Sequence, residues 1–140
     1  MADGDDFNTR IINEFRANAG KVGAPFEGAT LLLLHHTGAK TGAERVNPLV
    51  YQQVGDSYAI FASAGGQPHD PQWFRNLVAS PETTVELGAG TAKVRARVVN
   101  DRSQRDTIYA KQVEIMPGFG EYEKTAAPRV IPVVLLDPVA

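Results

Sequence analysis

The sequence predicts a mainly β, α+β fold, an antiparallel barrel of about six strands with about three flanking helices. Two observations carry this prediction: short apolar segments separated by turn residues dominate the chain, and no β-α-β pattern repeats along it. The length of 140 residues and the hydrophobic fraction of 43% are typical of one compact domain over 1–140, with a helical segment at 1–20 and the barrel at 30–136.

The N-terminal segment is expected to form an amphipathic helix over about 6–19. Gly20 is a stop signal, and the apolar residues recur at helical spacing: Phe7, Ile11, Ile12 and Phe15. Such a stripe predicts packing against the barrel. A membrane contact and a lid over the substrate are the alternatives.

The β segments follow from apolar alternation and turn signals. The clearest is 92–98, where alanine and valine alternate with Lys93, Arg95 and Arg97, which indicates one buried and one exposed face. Pro132 predicts an edge position or a bulge in the closing strand. The predicted strands are 30–35, 45–54 and 57–62, expected to form a meander, then 83–87, 92–98 and 130–136.

Two further helices are predicted. A short helix over 71–79 ends at Ser80-Pro81, because the residue before a proline disfavours helical geometry. Asp101 is a good N-cap for a helix that runs to about Ile115 and must end at Pro117-Gly118.

Composition excludes several classes of function. With 14 Lys plus Arg against 16 Asp plus Glu, the chain has no general attraction for nucleic acid or anionic lipid. The absence of cysteine excludes disulfides, thiolate metal sites and a cysteine nucleophile. The longest apolar run, Leu31 to Leu34, is too short to span a bilayer. The acidic N-terminus lacks the features of a secretory signal. A cytoplasmic protein is therefore expected.

The densest group of functional side chains lies at 37–45, between two predicted strands. Its glycines, hydroxyls, Lys40 and Arg45 have the composition of an anion site, although a solvated hairpin tip has the same composition. It does not match the phosphate-binding loop of nucleoside triphosphatases, because the four-residue spacing between glycines is absent and a strand follows instead of a helix.

Other candidates leave the reaction open on spacing alone. The glycines of 62–66 permit close approach by a flat ligand or simply form a turn. His35 and His36 are adjacent on a strand and point to opposite faces, so they do not form a joint metal site. A triad of Ser63 with a histidine lacks the Gly-x-Ser-x-Gly elbow.

Four segments in order nevertheless resemble the deazaflavin (coenzyme F-420)-dependent nitroreductase family. They span about 30–136, and their joint order is far more specific than any one of them. They are TGAKTG at 37–42 with RVNPL at 45–49, ASAGG at 62–66, PQWFRNL at 71–77 with SP at 80–81, and RVIPVV at 129–134. The resemblance implies a split β-barrel that uses coenzyme F-420 to reduce a small organic acceptor: a quinone, an unsaturated lactone of the coumarin type or a nitro compound.

The resemblance also implies roles for individual residues. Ser63 and Tyr122 would act in catalysis. The cofactor-binding set would be Lys40, Thr41, Gly42, Arg45, Val46, Asn47, Pro48, Ala62, Ala64, Gly65, Gly66, Trp73 and Asn76. Tyr51, on an earlier strand, and Met116 and Phe119 would line the substrate pocket. Nitroreducing relatives carry several tyrosines in the segment that corresponds to 116–122, and here only Tyr122 keeps the hydroxyl. We therefore expect hydrophobic acceptors to be favoured over bicyclic nitroimidazoles.

Two other functions fit the same barrel. One is a carrier that holds deazaflavin, flavin or haem without turnover, and the other is a reductase that uses flavin mononucleotide (FMN). The cationic segment at 37–45 favours deazaflavin, because its longer polyanionic tail can contact several cations at once. No metal, no nucleic acid and either a monomer or a homodimer are expected, with peripheral membrane contact through the N-terminal helix as an option.

Overall fold

A computed structural model of the chain describes residues 3–23, 30–88 and 90–139, and within them seven strands and four α-helices. The helices are α1 Asp3–Ala17, α2 Gln72–Ala79, α3 Arg102–Ile115 and α4 Gly118–Ala126, with a 3-10 turn at Ala64–Gly66. The strands are β1 Leu31–Thr37, β2 Glu44–Val50, β3 Gln52–Val54, β4 Ser57–Phe61, β5 Glu82–Leu87, β6 Gly90–Val98 and β7 Val133–Pro138. The predicted α+β architecture is confirmed, with one more strand and one more helix than expected.

The strands form one sheet in the order β2-β1-β5-β6-β7-β4-β3, and every neighbouring pair is antiparallel. Both hairpins of the predicted meander are confirmed, but its middle strand 45–54 is divided into β2 and β3, which lie at opposite edges of the sheet. Only Tyr51 separates these two strands in the chain. The sheet must curl until its edges meet at Tyr51, whose ring packs edge-on against Tyr58 of β4 with centroids 5.4 Å apart.

Two apolar layers lie on the two faces of β1. Alternate residues Leu32 and Leu34 face the barrel interior, where they join a fully buried cluster with Ile60, Val85 and Leu136. Leu31 and Leu33 face the other way and pack against α1. This alternation follows from the period of two along a strand.

Helix α1 lies on the sheet through its apolar stripe, as predicted. Ile11 and Phe15 are buried against Leu31 and Leu33. Beyond the stripe, the Arg16 guanidinium donates to both carboxylate oxygens of Glu86 on β5, at 3.0 and 2.6 Å. The helix begins at Asp3, earlier than the expected start at 6.

The strand after Pro132 differs from the prediction. It begins at Val133 and lies between β6 and β4 in the middle of the sheet, so Pro132 is neither on an edge strand nor in a bulge. Pro132 precedes the strand and contributes its carbonyl, which accepts from the Ala62 amide at 3.0 Å. None of the helices in the described part of the chain is long and apolar enough to cross a membrane.

Candidate active site

The turn between β1 and β2 is held by its own backbone. The Gly38 amide donates to the Ala43 carbonyl and the Gly42 amide to the Gly38 carbonyl, both at 2.8 Å. The Thr41 hydroxyl accepts from the Ala43 amide at 3.2 Å. Gly42 has a φ of +70°, which favours glycine and explains its place in the turn without any ligand. This turn leaves Lys40 and the neighbouring Arg45 exposed.

Between this turn and α2 lies a cavity of about 460 Å³, which we call the cation cavity. Three positive side chains line it: Lys40 and Arg45 from the hairpin and Arg75 from α2. In the part of the chain that the structure describes, none of the three pairs with a carboxylate. Thr41, Gln72 and Asn76 add hydroxyl and amide groups to its wall.

A second cavity of about 440 Å³ lies where α1, β2 and the start of α2 meet, and we call it the Trp73 cavity. Arg45 and Gln72 line both cavities, so the two are adjacent. Apolar groups of Trp73, Val46 and Ile12 form part of the wall, and its polar members include His36 and Asn47.

A buried amide, Asn76, connects α2 to the hairpin. Its Oδ1 accepts from the Ala39 amide at 3.1 Å and from Gln72 Nε2 at 3.0 Å. Its Nδ2 lies 3.0 Å from Nδ1 of His36, whose Nε2 lies 2.7 Å from Asn47 Oδ1. Burial, followed by the positive charge of Arg45, lowers the pKa of His36 from its usual 6.5.

His35 points to the other face of β1, as expected. Its Nε2 lies 2.7 Å from Glu86 and its Nδ1 lies 3.2 Å from Glu44. Hydrogen bonds from Arg16 first, then from His35, lower the pKa of Glu86 to about 2. Among the described residues, no group of three or more histidine or acidic side chains is placed to hold a metal.

The loop that joins β4 to α2 is held by Arg129. The guanidinium donates to the carbonyls of Ala62 and Ser63 at 3.0 and 2.9 Å and to the carbonyl of Gln67 at 2.8 Å. It also pairs with Asp70 at 2.9 Å. One side chain thus fixes both ends of the segment that includes Ser63, Ala64 and Gly65.

Helix α4 packs directly on this loop at Gly66. The Thr125 hydroxyl donates to the Gly66 carbonyl at 2.9 Å, and a Cβ at Gly66 would lie 3.1 Å from Tyr122 Cα and still closer to Thr125. Helix α4 therefore occupies the space that the missing side chain leaves at Gly66. Nothing lies within 4 Å of a Cβ built on Gly65.

The expected pocket residues of α3 and α4 belong to a second apolar cluster. Phe119 is 8% exposed and packs edge-on against Phe61, Tyr109 and Tyr122. Met116 and Tyr122 are half-buried at its margin. Tyr51 instead lies at the closure of the barrel, against the interior cluster, where burial raises its pKa.

The two cavities bring together most of the proposed cofactor residues: Lys40, Thr41, Arg45, Val46, Asn47, Trp73 and Asn76 line one or both. Gly42 and Pro48 lie next to this group, in the turn and in β2. Ala62 to Gly66, with Tyr122, form a separate group under α4 that lines neither cavity.

Sequence reasoning missed His36, Gln72, Arg75 and Arg129 as site residues. Gln72 and Arg75 carried a usable signal, because they lie one helical turn apart and next to Trp73 and Asn76 on a predicted helix. Arg129 begins one of the four segments that carry the family resemblance, but no local pattern pointed to its role, since its four partners lie about 60 residues away in the chain.

Comparisons with known proteins identify the family of the chain. A family model for F420H(2)-dependent quinone reductase matches residues 9–138. An F420H(2)-dependent quinone reductase of Mycobacterium tuberculosis is 37% identical over 128 residues, which cover 87% of this chain and 83% of that protein.

Two solved structures share the fold over most of the chain. The structure of an F420-H2 dependent reductase (FDR-A) has a TM-score of 0.69 and 32% identity and covers 77% of this chain and 94% of that chain. A domain-swapped dimer has a TM-score of 0.70 and 28% identity, with coverage of 96% and 99%. The chain belongs to the F420H(2)-dependent quinone reductase family and is a deazaflavin-dependent oxidoreductase of split-barrel fold.

Proposed function

We propose that the chain reduces quinones, and that it holds coenzyme F-420 across both cavities, with the anionic tail in the cation cavity and the deazaflavin ring beside Trp73. The observation that carries this proposal is the convergence of Lys40, Arg45 and Arg75 on one cavity next to an aromatic one.

The charge of the cation cavity fits a polyanion. The chain as a whole has a formal net charge of −2, yet three cations here have no carboxylate partner among the described residues. Unpaired cations so close together repel one another, and an anion that contacts all three removes this repulsion. Arg45 and Arg75 offer planar forks suited to phosphate or carboxylate, whereas Lys40 offers a point charge.

The Trp73 cavity fits a flat ring. Val46 and Ile12 provide apolar surface beside Trp73, which is 6% exposed and anchored in the interior cluster. The neighbouring His36 and Asn47 are already hydrogen-bonded to each other. The reduced deazaflavin supplies the hydride when bound. The chain's own residues orient the ring against the acceptor and exclude water, which needs no acid–base pair among its side chains.

For the acceptor we propose the group that lies under α4, and the deazaflavin ring would extend from the Trp73 cavity to this group, because hydride transfer needs the two in contact. Arg129 holds the Ser63 carbonyl and thereby fixes the backbone from which the Ser63 side chain projects. The Ser63 hydroxyl would donate a hydrogen bond to an oxygen atom of the substrate. Tyr122 would contact the acceptor from α4, with Phe119 and Met116 behind it. Because these groups are mostly apolar, quinones and coumarin-type lactones should be better acceptors than bicyclic nitroimidazoles.

Parallel titration of the purified protein with oxidised coenzyme F-420, FMN and NADPH tests the cofactor part of this proposal. Turnover of reduced F-420 with quinone, coumarin and nitroimidazole acceptors tests the rest. We expect selective F-420 binding and the fastest turnover with quinones. Binding without turnover would favour a carrier, FMN preference would overturn the cofactor assignment, and nitroimidazole as the sole good acceptor would overturn the acceptor assignment.

Membrane contact through α1 would require this helix to leave the sheet, because Ile11 and Phe15 are buried against β1. Sedimentation with anionic and neutral vesicles tests whether it does so. A homodimer is a further option, since one similar structure is a domain-swapped dimer, and light scattering of the full chain tests it.

A further inference from the structure

We propose that His36 is a positioning residue for cofactor binding. As the neutral imidazole it orients the amide of Asn76, and Asn76 in turn holds the hairpin at Ala39, next to Lys40. This inference rests on the proposed function, because it concerns the same cavities. Neither the family match nor the sequence assigns a role to His36.

The hydrogen bonds leave one consistent arrangement. Asn76 Oδ1 accepts from two groups that can only donate, the Ala39 backbone amide and Gln72 Nε2. The other end of the Asn76 amide is therefore an NH₂ group, and it donates to His36 Nδ1. With Nδ1 as the acceptor, the ring proton lies on Nε2, which donates to Asn47 Oδ1.

The surroundings of His36 keep it neutral. The imidazole is 4% exposed. The titratable groups that act on it are Arg45 from β2 and His35 from its own strand, and both disfavour a further positive charge. From α2 it meets Asn76, and in the cavity wall Trp73 and Gln72, none of which titrates to an anion.

Loss of the His36 imidazole would also affect the hairpin, through Asn76. Without an acceptor at Nδ1, the buried NH₂ group of Asn76 would have no partner, and the amide would be held only through Oδ1, by the Ala39 amide and Gln72 Nε2. A shift of the Asn76 side chain to satisfy this donor would weaken its bond to the Ala39 amide, and with it the position of Lys40 relative to Arg75. A side chain at position 36 that keeps one acceptor and one donor should preserve the hydrogen bonds to Asn76 and Asn47.

The first test compares three variants. His36→Leu removes both ring nitrogens, His36→Gln keeps an acceptor and a donor without titrating, and His35→Leu makes the same apolar change on the opposite face of β1. We expect His36→Leu to raise the Kd and the KM for coenzyme F-420 by about fivefold, as for one lost hydrogen bond, with kcat little changed. His36→Gln should restore most of the affinity, and His35→Leu should leave it unchanged. Equal damage in both His36 variants, or none in either, would overturn the inference.

The second test needs no cofactor. In ¹H–¹⁵N spectra of the ligand-free protein, the Ala39 amide resonance should shift in His36→Leu and return toward its wild-type position in His36→Gln. An Ala39 amide unmoved by His36→Leu would overturn the link between His36 and the turn. Failure of the wild-type protein to bind F-420 would instead overturn the proposed function, and the Ala39 resonance would still decide this link.

Discussion

Lys40, Arg45 and Arg75 act at the residue scale, because each contributes a separable charge to the cation cavity. Lys40→Ala should weaken F-420 binding by about 1.5–3 kcal/mol, the usual contribution of a charged hydrogen bond. Folding should be spared, since Lys40 is exposed. Fluorescence titration gives the Kd, and Lys93→Ala, which removes an exposed cation on β6, is the matched control. Equal affinities in the two variants would mean that the hairpin is only a surface turn.

Arg129 should matter both for folding and for turnover. Arg129→Lys keeps the charge, but an ammonium cannot reach the carbonyls of Ala62, Ser63 and Gln67 together. We expect a loss of about 2–3 kcal/mol in the free energy of unfolding and a lower kcat. Urea denaturation and quinone turnover measure the two effects.

Arg102→Lys is the control for this prediction, because Arg102 forms an exposed ion pair with Asp106 that should contribute under about 1 kcal/mol. A kcat unaffected by Arg129→Lys would show that the position of the Ser63 segment does not limit the reaction.

Individual site residues were predictable to the extent that their neighbours in sequence were also neighbours in space. Lys40, Thr41 and Arg45 lie in one hairpin, and Trp73 and Asn76 lie on one helix, so local patterns found them. His36 and Arg129 act through partners on other elements. Their roles follow from hydrogen-bond geometry, which a single sequence does not encode locally.

At the scale of elements, α1 is attached to the sheet by a charge as well as by its apolar stripe. Because the pKa of Glu86 is lowered to about 2, its ionised form is stabilised in the folded protein. This contribution to the stability of the folded protein is complete at pH values above 4.5, the ordinary pKa of the carboxyl group, and is lost as the pH falls from 4.5 toward about 2. As the pH falls through this range, the protection factors of the α1 amides, which are corrected for intrinsic exchange, should decrease more than those of β6 and β7.

Glu86→Gln provides the comparison for this pH dependence. The variant should be less stable than the wild-type protein above pH 5 and equal to it near pH 2. The reason is that glutamine cannot ionise at any pH, so the variant lacks the stabilisation that the Glu86 carboxylate provides. Glu82→Gln, which removes an exposed pair with Arg95, should leave exchange in α1 unchanged. A parallel pH profile in wild type and Glu86→Gln would contradict the prediction.

The start of α3 depends on Asp101, whose carboxylate accepts from the amides of Ser103 and Gln104 at 2.9 and 3.2 Å. Asp101→Ala should lower the free energy of unfolding by about 1 kcal/mol, because two helix amides lose their partner. Asp101→Asn should retain most of this stability, since asparagine is also a good N-cap. Urea denaturation distinguishes the two, and equal losses would show that charge rather than capping is responsible.

Elements with a strong local signal and the hairpins between neighbouring strands were predicted well, and the long-range order of the strands was not. The alternation of 92–98 and the cap at Asp101 gave β6 and α3, because periodicity and capping are local. The break at Tyr51 and the central position of β7 depend on partners distant in the chain. Helix α4, with three glycine or proline residues near its start, has weak propensity and is held by contacts with the loop at Gly66.

At the scale of the whole molecule, Tyr51 joins the two edges of the sheet. Its amide donates to the Thr30 carbonyl at 3.0 Å, and the residues on either side belong to β2 and β3. Two glycines inserted after Tyr51 should loosen this closure and lower the free energy of unfolding by about 1–3 kcal/mol. The same insertion after Pro68, in an exposed loop outside the sheet, should change it by less than about 0.5 kcal/mol. Similar effects of both insertions would mean that closure at Tyr51 does not stabilise the barrel.

The central position of β7 has a consequence for synthesis on the ribosome. The hairpin of β3 and β4 joins the rest of the sheet only through β7, which the ribosome makes after all six other strands. Until residues 133–138 emerge, the hairpin lacks a neighbour and β6 and β4 both expose an unpaired edge. A nascent chain of this protein should therefore need protection from aggregation until residues 133–138 have left the ribosome, and it should bind coenzyme F-420 only from that point on.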